Sequence, residues 1–229
     1  MTLTLYDLRT ADPDIRPSPF CWIAKFALLH KGLDFETIPL GFAEKKNYPD
    51  PSYGKCPVLD DDGELVRDSA AIVEHLEKKY PARPLTATEG EKAMAEFVAA
   101  WWPAALLPGL GPLTMLKICN LLDGEDRDYF RRTREAHYGK SLEAYSDDPA
   151  APGKVEAGLR QLAAPLARRK FLGGATPNLA DYNVFSLLMW RRAAAPVDPY
   201  ETPAEVAAWS ERMLDLFGGY ARKAKRAAA

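Results

Sequence analysis

The feature that most constrains this chain is a change of texture at Pro81. Before it, strand-like alternation and helical periodicity are mixed; after it, every periodic stretch has helical spacing. Leu3, Leu5 and Tyr6, interleaved with threonines, predict a first strand. Residues 18–31 predict a helix with Trp22, Ile23, Phe26, Ala27 and Leu29 on its apolar face, ended by Gly32. "DFETIPL" predicts a second strand, weakened by Pro39. "PVLDDDGELVRDS" predicts a hairpin turning at Asp61-Asp62-Gly63. Residues 69–80 predict a second helix, with Ile72, Val73, Leu76 and Tyr80 on one side.

Past Pro81, "PARPL" is a short linker. The later helices are expected at 87–102, 125–145, 154–169, 178–194 and 203–217. The proline- and glycine-rich stretch "WWPAALLPGLGP" predicts a broken element. "SDDPAAPG" is expected to be a loop and "ARKAKRAAA" a frayed tail. The order β-α-β-β-β-α followed by helices describes an α/β thioredoxin-like domain (1–80), a linker (81–90) and an all-α helical domain (91–229). Composition narrows the setting. The chain is 47% hydrophobic and carries a net charge of -2, so nothing favours nucleic acid or an anionic membrane. No apolar run approaches membrane-spanning length. "MTLTLYDL" enters a strand without a signal-like apolar core. Three widely spaced cysteines, Cys21, Cys56 and Cys119, suit a reducing compartment, and the expectation is a cytoplasmic protein.

Four stretches carry candidate chemistry. In "RPSPFCWIAKFAL", Ser18 and Pro19 open the first helix, where free amides and the helix dipole favour an anion. Ser18 is either a thiolate-stabilising hydroxyl, by the physics that lowers cysteine pKa values at helix N-termini, or simply a helix cap. In "KCPVL", Pro57 begins an apolar strand, as an edge residue or as a cis bond that leaves the Cys56 backbone open to a peptide-like ligand. In "RDSAAI", Asp68 and Ser69 open a helix and offer partners for an ammonium and a carboxylate, or again only a cap. In "TPNLADYN", Asn178 and Asp181 have capping-box spacing and read as structural. The three histidines are isolated, no metal site is expected, and "EDRDYFRRTRE" reads as a solvated helix face.

In order and spacing these motifs resemble the glutathione transferase family. The resemblance covers essentially the whole chain, including "FLGGATPNLADY". "LYDL", "SPFCWIAKFALLHKGLDF", "DDGELVRDSAAIVEHLEKKYP" and "DRDYFRRTRE" are similar to the fungal A-like class and to bacterial glutathione-dependent β-etherases. It implies that Ser18 stabilises the glutathione thiolate, and that Pro57 is a cis-proline beside a Cys56 backbone that pairs with the cysteinyl unit. It further implies that Asp68 and Ser69 hold the γ-glutamyl head group, and that Lys55 and Lys45 meet the glycyl carboxylate. The implied reaction is attack of glutathione, as cosubstrate, on a small hydrophobic, aromatic electrophile, with β-aryl ether cleavage as a sharper version and a homodimer as the assembly. Phe20, Trp22, Trp101, Trp102, Tyr129 and Trp190 are candidates for the substrate pocket. Two departures from the family pattern are Cys56, where valine is common, and the retained thiol of Cys21. They leave open thiol-disulfide or peroxide chemistry through either cysteine. A non-catalytic carrier of hydrophobic ligands with the same fold is the other alternative.

Overall fold

The computed structural model describes residues 3–228. Met1, Thr2 and Ala229, at the ends of the expected domains, lie outside the described residues. Four strands form one mixed sheet in the order β2-β1-β3-β4. β1 (Leu3–Leu8) pairs in parallel with β2 (Phe35–Leu40) and antiparallel with β3 (Val58–Asp61). β4 (Glu64–Arg67) closes the far edge through a two-residue turn, in which Asp62 and Gly63 take φ values of 54° and 94°. Pro39 lies on the edge strand β2, where its missing donor interrupts no second ladder.

α1 (Pro19–Lys31) makes the crossover between the parallel pair β1 and β2. It is buried more completely than a single apolar face requires: every residue from Cys21 to Leu28 is buried, while Leu29 is only half-buried. The reason is that α1 has protein on both sides, the sheet on one and the helical half on the other. Phe26 stacks on Tyr182 at 5.5 Å, and His30 Nδ1 lies 2.7 Å from the Tyr182 hydroxyl. The fully buried Phe26 is the kind of anchor whose truncation costs about 3–5 kcal/mol. Lys25, on the same helix, is 2% exposed because its ammonium pairs with the buried Asp7 at 2.8 Å. α2 (Ser69–Lys79) buries Ile72 and Leu76 and leaves Val73 half-buried.

Among the described residues the second half is helical: α3 (Glu89–Ala105), α4 (Leu107–Asn120), α5 (Gly124–Tyr138), α6 (Leu142–Ser146), α7 (Ala151–Leu166), α8 (Leu179–Ala194) and α9 (Ala204–Gly219). The proline-rich stretch does break, with a bend of 65° at Leu106, but a full helix that the sequence reading left out, α4, follows the break. Its glycines serve packing. A Cβ on Gly109 would come within 2.6 Å of Val155, and one on Gly158 within 2.6 Å of Leu106, so bare backbone lets α4 and α7 meet. The expected helix at 125–145 is two helices, because Gly139 exits α5 at φ 68°. The tail is not frayed through its described part. Ala221 is buried, Lys225 pairs with Asp12 at 2.6 Å, and Ala227 N–H donates to Ala193 O at 3.0 Å. His75, late in α2, pairs with the buried Asp61 at 2.7 Å. No single helix among the described residues is long and apolar enough to cross a membrane.

Candidate active site

The first turn of α1 is left partly unsatisfied. Ser18 is buried, with extended backbone, and its Oγ accepts from Cys21 N–H at a long 3.3 Å. Among the described residues the hydroxyl donates to no carbonyl or carboxylate, and its neighbour is the thiol of Cys21. Pro19 has no N–H to satisfy, and the amide of Phe20 makes no backbone hydrogen bond among the described residues. A hydroxyl and a free amide at the positive end of a helix dipole therefore face the same opening. Cys21, one turn further in, is fully buried. Burial, reinforced by the charge of Asp7, pushes its thiol well above the usual range.

Across the opening, the Cys56–Pro57 peptide is cis. Neither the N–H nor the carbonyl of Cys56 makes a backbone hydrogen bond within the described chain. Cys56 is only half-buried, so these two groups are open to solvent or to a ligand at the cavity wall. The Cys56 thiol is pushed up to about 12, first by burial and then by the charge of Asp7. Asp68 is tied to this segment by its own N–H, which donates to Pro57 O at 3.1 Å. Asp68, not Ser69, caps α2: its Oδ1 accepts from Ala70 N–H at 2.8 Å. It does so from φ 74°, ψ 144°, a backbone region that L-residues rarely occupy and that clusters at functional sites. Ser69 follows it, buried at the first position of the helix.

A cavity of about 530 Å³ runs from Ser18 to the helical half, a size that suits a small organic ligand. Ser18, Phe20, Lys45, Lys55, Cys56, Trp102, Tyr129 and Trp190 all line it. Lys45 Nζ donates to Gly54 O at 2.6 Å and lies over the rings of Tyr48 and Tyr129; burial lowers its pKa. Lys55 is exposed at the rim. Trp22 and Trp101 do not line the cavity. Trp22 belongs to the core, packed between Phe26 and Tyr220, with its Nε1–H donating to Arg16 O at 2.9 Å. Trp101 points away and donates to Gln161 at 2.9 Å. Pro57, Asp68 and Ser69 lie beside the cavity rather than in its wall.

Apart from Tyr129, the sequence reading missed the face of α5. Phe130, Thr133, Arg134, His137 and Tyr138 line the cavity together, and Tyr48 faces them from below. The run that contains most of them was expected to be solvated. One side of it does carry the Arg131–Glu135 pair at 2.9 Å. The other side, recurring every three or four residues through Phe130, Arg134 and Tyr138, is the cavity wall. That periodicity was present in the sequence, but a run dense in arginine hides it.

Both halves of the chain are similar to known proteins. A family model described as "Glutathione S-transferase, C-terminal domain" matches residues 93–217, and one described as "Glutathione S-transferase, N-terminal domain" matches residues 13–84. A maleylacetoacetate isomerase of Pseudomonas aeruginosa is 30% identical over 130 residues, 52% of this chain and 60% of that protein. A zeta-class glutathione S-transferase of Euphorbia esula is 29% identical over 104 residues, 43% of this chain and 44% of that protein. The chain thus spans less than two thirds of either relative. Among solved structures, a glutathione S-transferase of Ceriporiopsis subvermispora in complex with glutathione superposes with a TM-score of 0.79. It is 25% identical, covering 94% of this chain and 96% of that one. A glutathione transferase of Phanerochaete chrysosporium gives 0.76 at 24% identity, covering 96% and 92%, a likeness of fold.

Proposed function

Because the chain belongs to the glutathione S-transferase family, we propose that it binds glutathione and uses Ser18 to hold the glutathione sulfur as a thiolate. The observation that carries this is the unsatisfied first turn of α1, which opens opposite the unpaired backbone of Cys56. A peptide thiol extended along Cys56 would bring its sulfur to Ser18. The Ser18 hydroxyl and the Phe20 amide would then donate to the thiolate. Asp68 accepts the γ-glutamyl ammonium, the Ser69 end of α2 takes its carboxylate, and Lys55 with Lys45 meets the glycyl carboxylate. The thiolate attacks an electrophilic carbon of a small aromatic molecule held against Trp102 and Tyr129. A sulfur–carbon bond forms, and the leaving group departs with its electron pair. Cleavage of a β-aryl ether, with a phenolate leaving, is the narrower form of the same reaction, in keeping with the resemblance to the fungal A-like class and the β-etherases.

Exchange chemistry through Cys21 or Cys56 is disfavoured, because burial holds both as thiols, whereas exchange needs a thiolate. A non-catalytic carrier would use the same cavity and is separated by turnover: glutathione consumption against aryl halides, isothiocyanates, peroxides and β-aryl ethers. The proposal extends to a homodimer, which would cover the exposed Met94 and Phe97 of α3, and to the cytoplasm, where free thiols persist. The direct test is the thiolate absorbance of bound glutathione, titrated in the parent and in Ser18→Ala. The bound thiol should ionise at lower pH than free glutathione in the parent, and return toward the free value in the variant. An identical titration in both proteins removes Ser18 from the role.

A further inference from the structure

We propose that the α5 end of the cavity binds the carboxylate of an aromatic acid and that Arg134 selects it, so that the electrophile is an organic anion. This rests on the transferase reading above. The cavity is lined by three fixed cations, Lys45, Lys55 and Arg134, and among the described lining residues there is no Asp or Glu. That concentration of one sign sits in a chain whose net charge is -2. Glutathione does not account for all of it. Its γ-glutamyl carboxylate belongs at α2, and its glycyl carboxylate at the Lys55 and Lys45 side. Arg134 is left over.

Lys55 is exposed at the rim and Lys45 donates to Gly54 O, whereas Arg134 is half-buried with little to pair with. Its only hydrogen bond among the described residues runs from Nη1 to Thr133 Oγ1 at 2.8 Å, and it forms no ion pair. A guanidinium has five donors, so most of its capacity is unused. Three acids of α5 and α6 are engaged elsewhere. Glu135 and Glu143 pair with Arg131, while Asp126 accepts from Ala43 N–H and faces Arg9. Packing fixes where the charge points: the guanidinium lies 4.3 Å from the centre of the Phe130 ring and 5.6 Å from that of Phe42. A half-buried cation held against aromatic faces, with free donors toward a cavity, is costly until an anion arrives. A planar fork suits a carboxylate in two-point contact. Tyr129, Tyr138 and Trp102 supply flat walls for the ring that would carry it. Ser18 lies in the same cavity wall, so a ring anchored at Arg134 would present its far side to the thiolate.

The test is calorimetric titration of the full-length protein, without glutathione, using 2-naphthoate and the neutral 2-naphthamide. The parent should bind the acid at least ~tenfold more tightly than the amide, the worth of one charge-assisted contact. Arg134→Gln should bring the two within about twofold, Arg134→Lys should fall between, and glutathione affinity should stay within about twofold of the parent. If Arg134→Gln loses its cooperative melt, Arg134→Lys is read instead, where an undiminished preference for the acid counts against the proposal. Equal binding of both probes by the parent overturns it, as does absence of measurable binding, or an unchanged preference in a folded Arg134→Gln. A parallel loss of glutathione affinity in Arg134→Gln also overturns it, because the guanidinium would then serve the glycyl carboxylate. A preference for the acid in protein that fails to bind immobilised glutathione supports the anion site and overturns only the transferase reading.

Discussion

Helices α1 and α8 both begin at a small polar cap, Ser18 and Asn178, and they leave their first turns in opposite states. At α8 everything is paired. Asn178 Oδ1 accepts from Ala180 N–H at 3.0 Å. The Asp181 carboxylate takes four donors at 2.7–3.1 Å: the amides of Leu172, Gly173 and Asn178, and Trp209 Nε1–H. At α1 the Ser18 side chain accepts one long backbone bond, and the Phe20 amide makes none among the described residues. The α8 terminus is sealed in the core, whereas the α1 terminus opens on the cavity. The same local chemistry thus serves structure where its donors are consumed and becomes available to a ligand where they are not. Sequence spacing shows the cap in both places; only the packing around it shows what remains unpaired.

The largest expected effect tests the sealed terminus. Asp181→Ala would strand four donors, one of them on the fully buried Trp209. It should lower unfolding free energy by about 3–5 kcal/mol, read from a urea midpoint. A loss under about 1 kcal/mol would mean that water or rearrangement satisfies those groups, and the contrast with α1 would weaken. Next comes the open terminus. Ser18→Ala should lower kcat by a factor of about 10²–10³, with glutathione affinity nearly unchanged and a stability loss at the low end of the roughly 0.5–2 kcal/mol of a lost cap, because the cap bond is long. Unchanged kcat, with chemistry shown to be rate-limiting, would hand the role to the Phe20 amide.

That contrast also explains what the sequence made legible. The order of elements before Pro81, the Gly32 exit and the Asp62-Gly63 turn follow from local preference, and all are where alternation and turn chemistry put them. α4 was not legible. Its prolines and glycines read as breakers, and the glycines' actual use, close approach to α7, depends on a partner distant in the sequence. The site divides in the same way. Ser18, Cys56 and Asp68 stand out because helix starts and a proline after a cysteine are local signals. The Arg134 face did not, because a charged helix surface acquires meaning only when another element makes it a wall. Trp22 and Trp101 show the reverse error: aromatic identity says nothing about which side of a helix faces the cavity.

Asp68 at α2 is intermediate between the two termini, since it caps its helix and sits strained beside the cavity. Asp68→Ala should weaken glutathione binding by about 1.5–3 kcal/mol through loss of a charge-assisted bond. It should also lower stability by roughly 0.5–2 kcal/mol through loss of the cap to Ala70. Asp68→Asn keeps the cap and removes the charge, so it should reproduce the binding loss with most stability retained. If both variants bind glutathione within about twofold of the parent, α2 resembles α8 and its terminus is purely structural.

The smallest effect separates two positions three residues apart on α1. In Ser18→Cys a thiol would occupy the open cap, where the helix terminus should lower its pKa by at least about one unit from the ordinary value near 8.5. Cys21, one turn deeper, should behave oppositely, because burial and then the charge of Asp7 raise its pKa; Cys56 goes the same way, up to about 12. Iodoacetamide labelling against pH, with peptide mapping, reads all three. The new thiol should label below pH 8, while Cys21 and Cys56 in the folded protein stay protected well above it. The sign carries over to stability. Thiols whose pKa is raised on folding hold their protons where the unfolded chain loses them. Their contribution is therefore complete below about pH 8.5 and is lost as pH climbs toward the folded value. The urea midpoint of the parent should fall across that range. If the Ser18→Cys thiol titrates near 8.5, the α1 terminus does not favour an anion, and its difference from α8 is one of exposure alone.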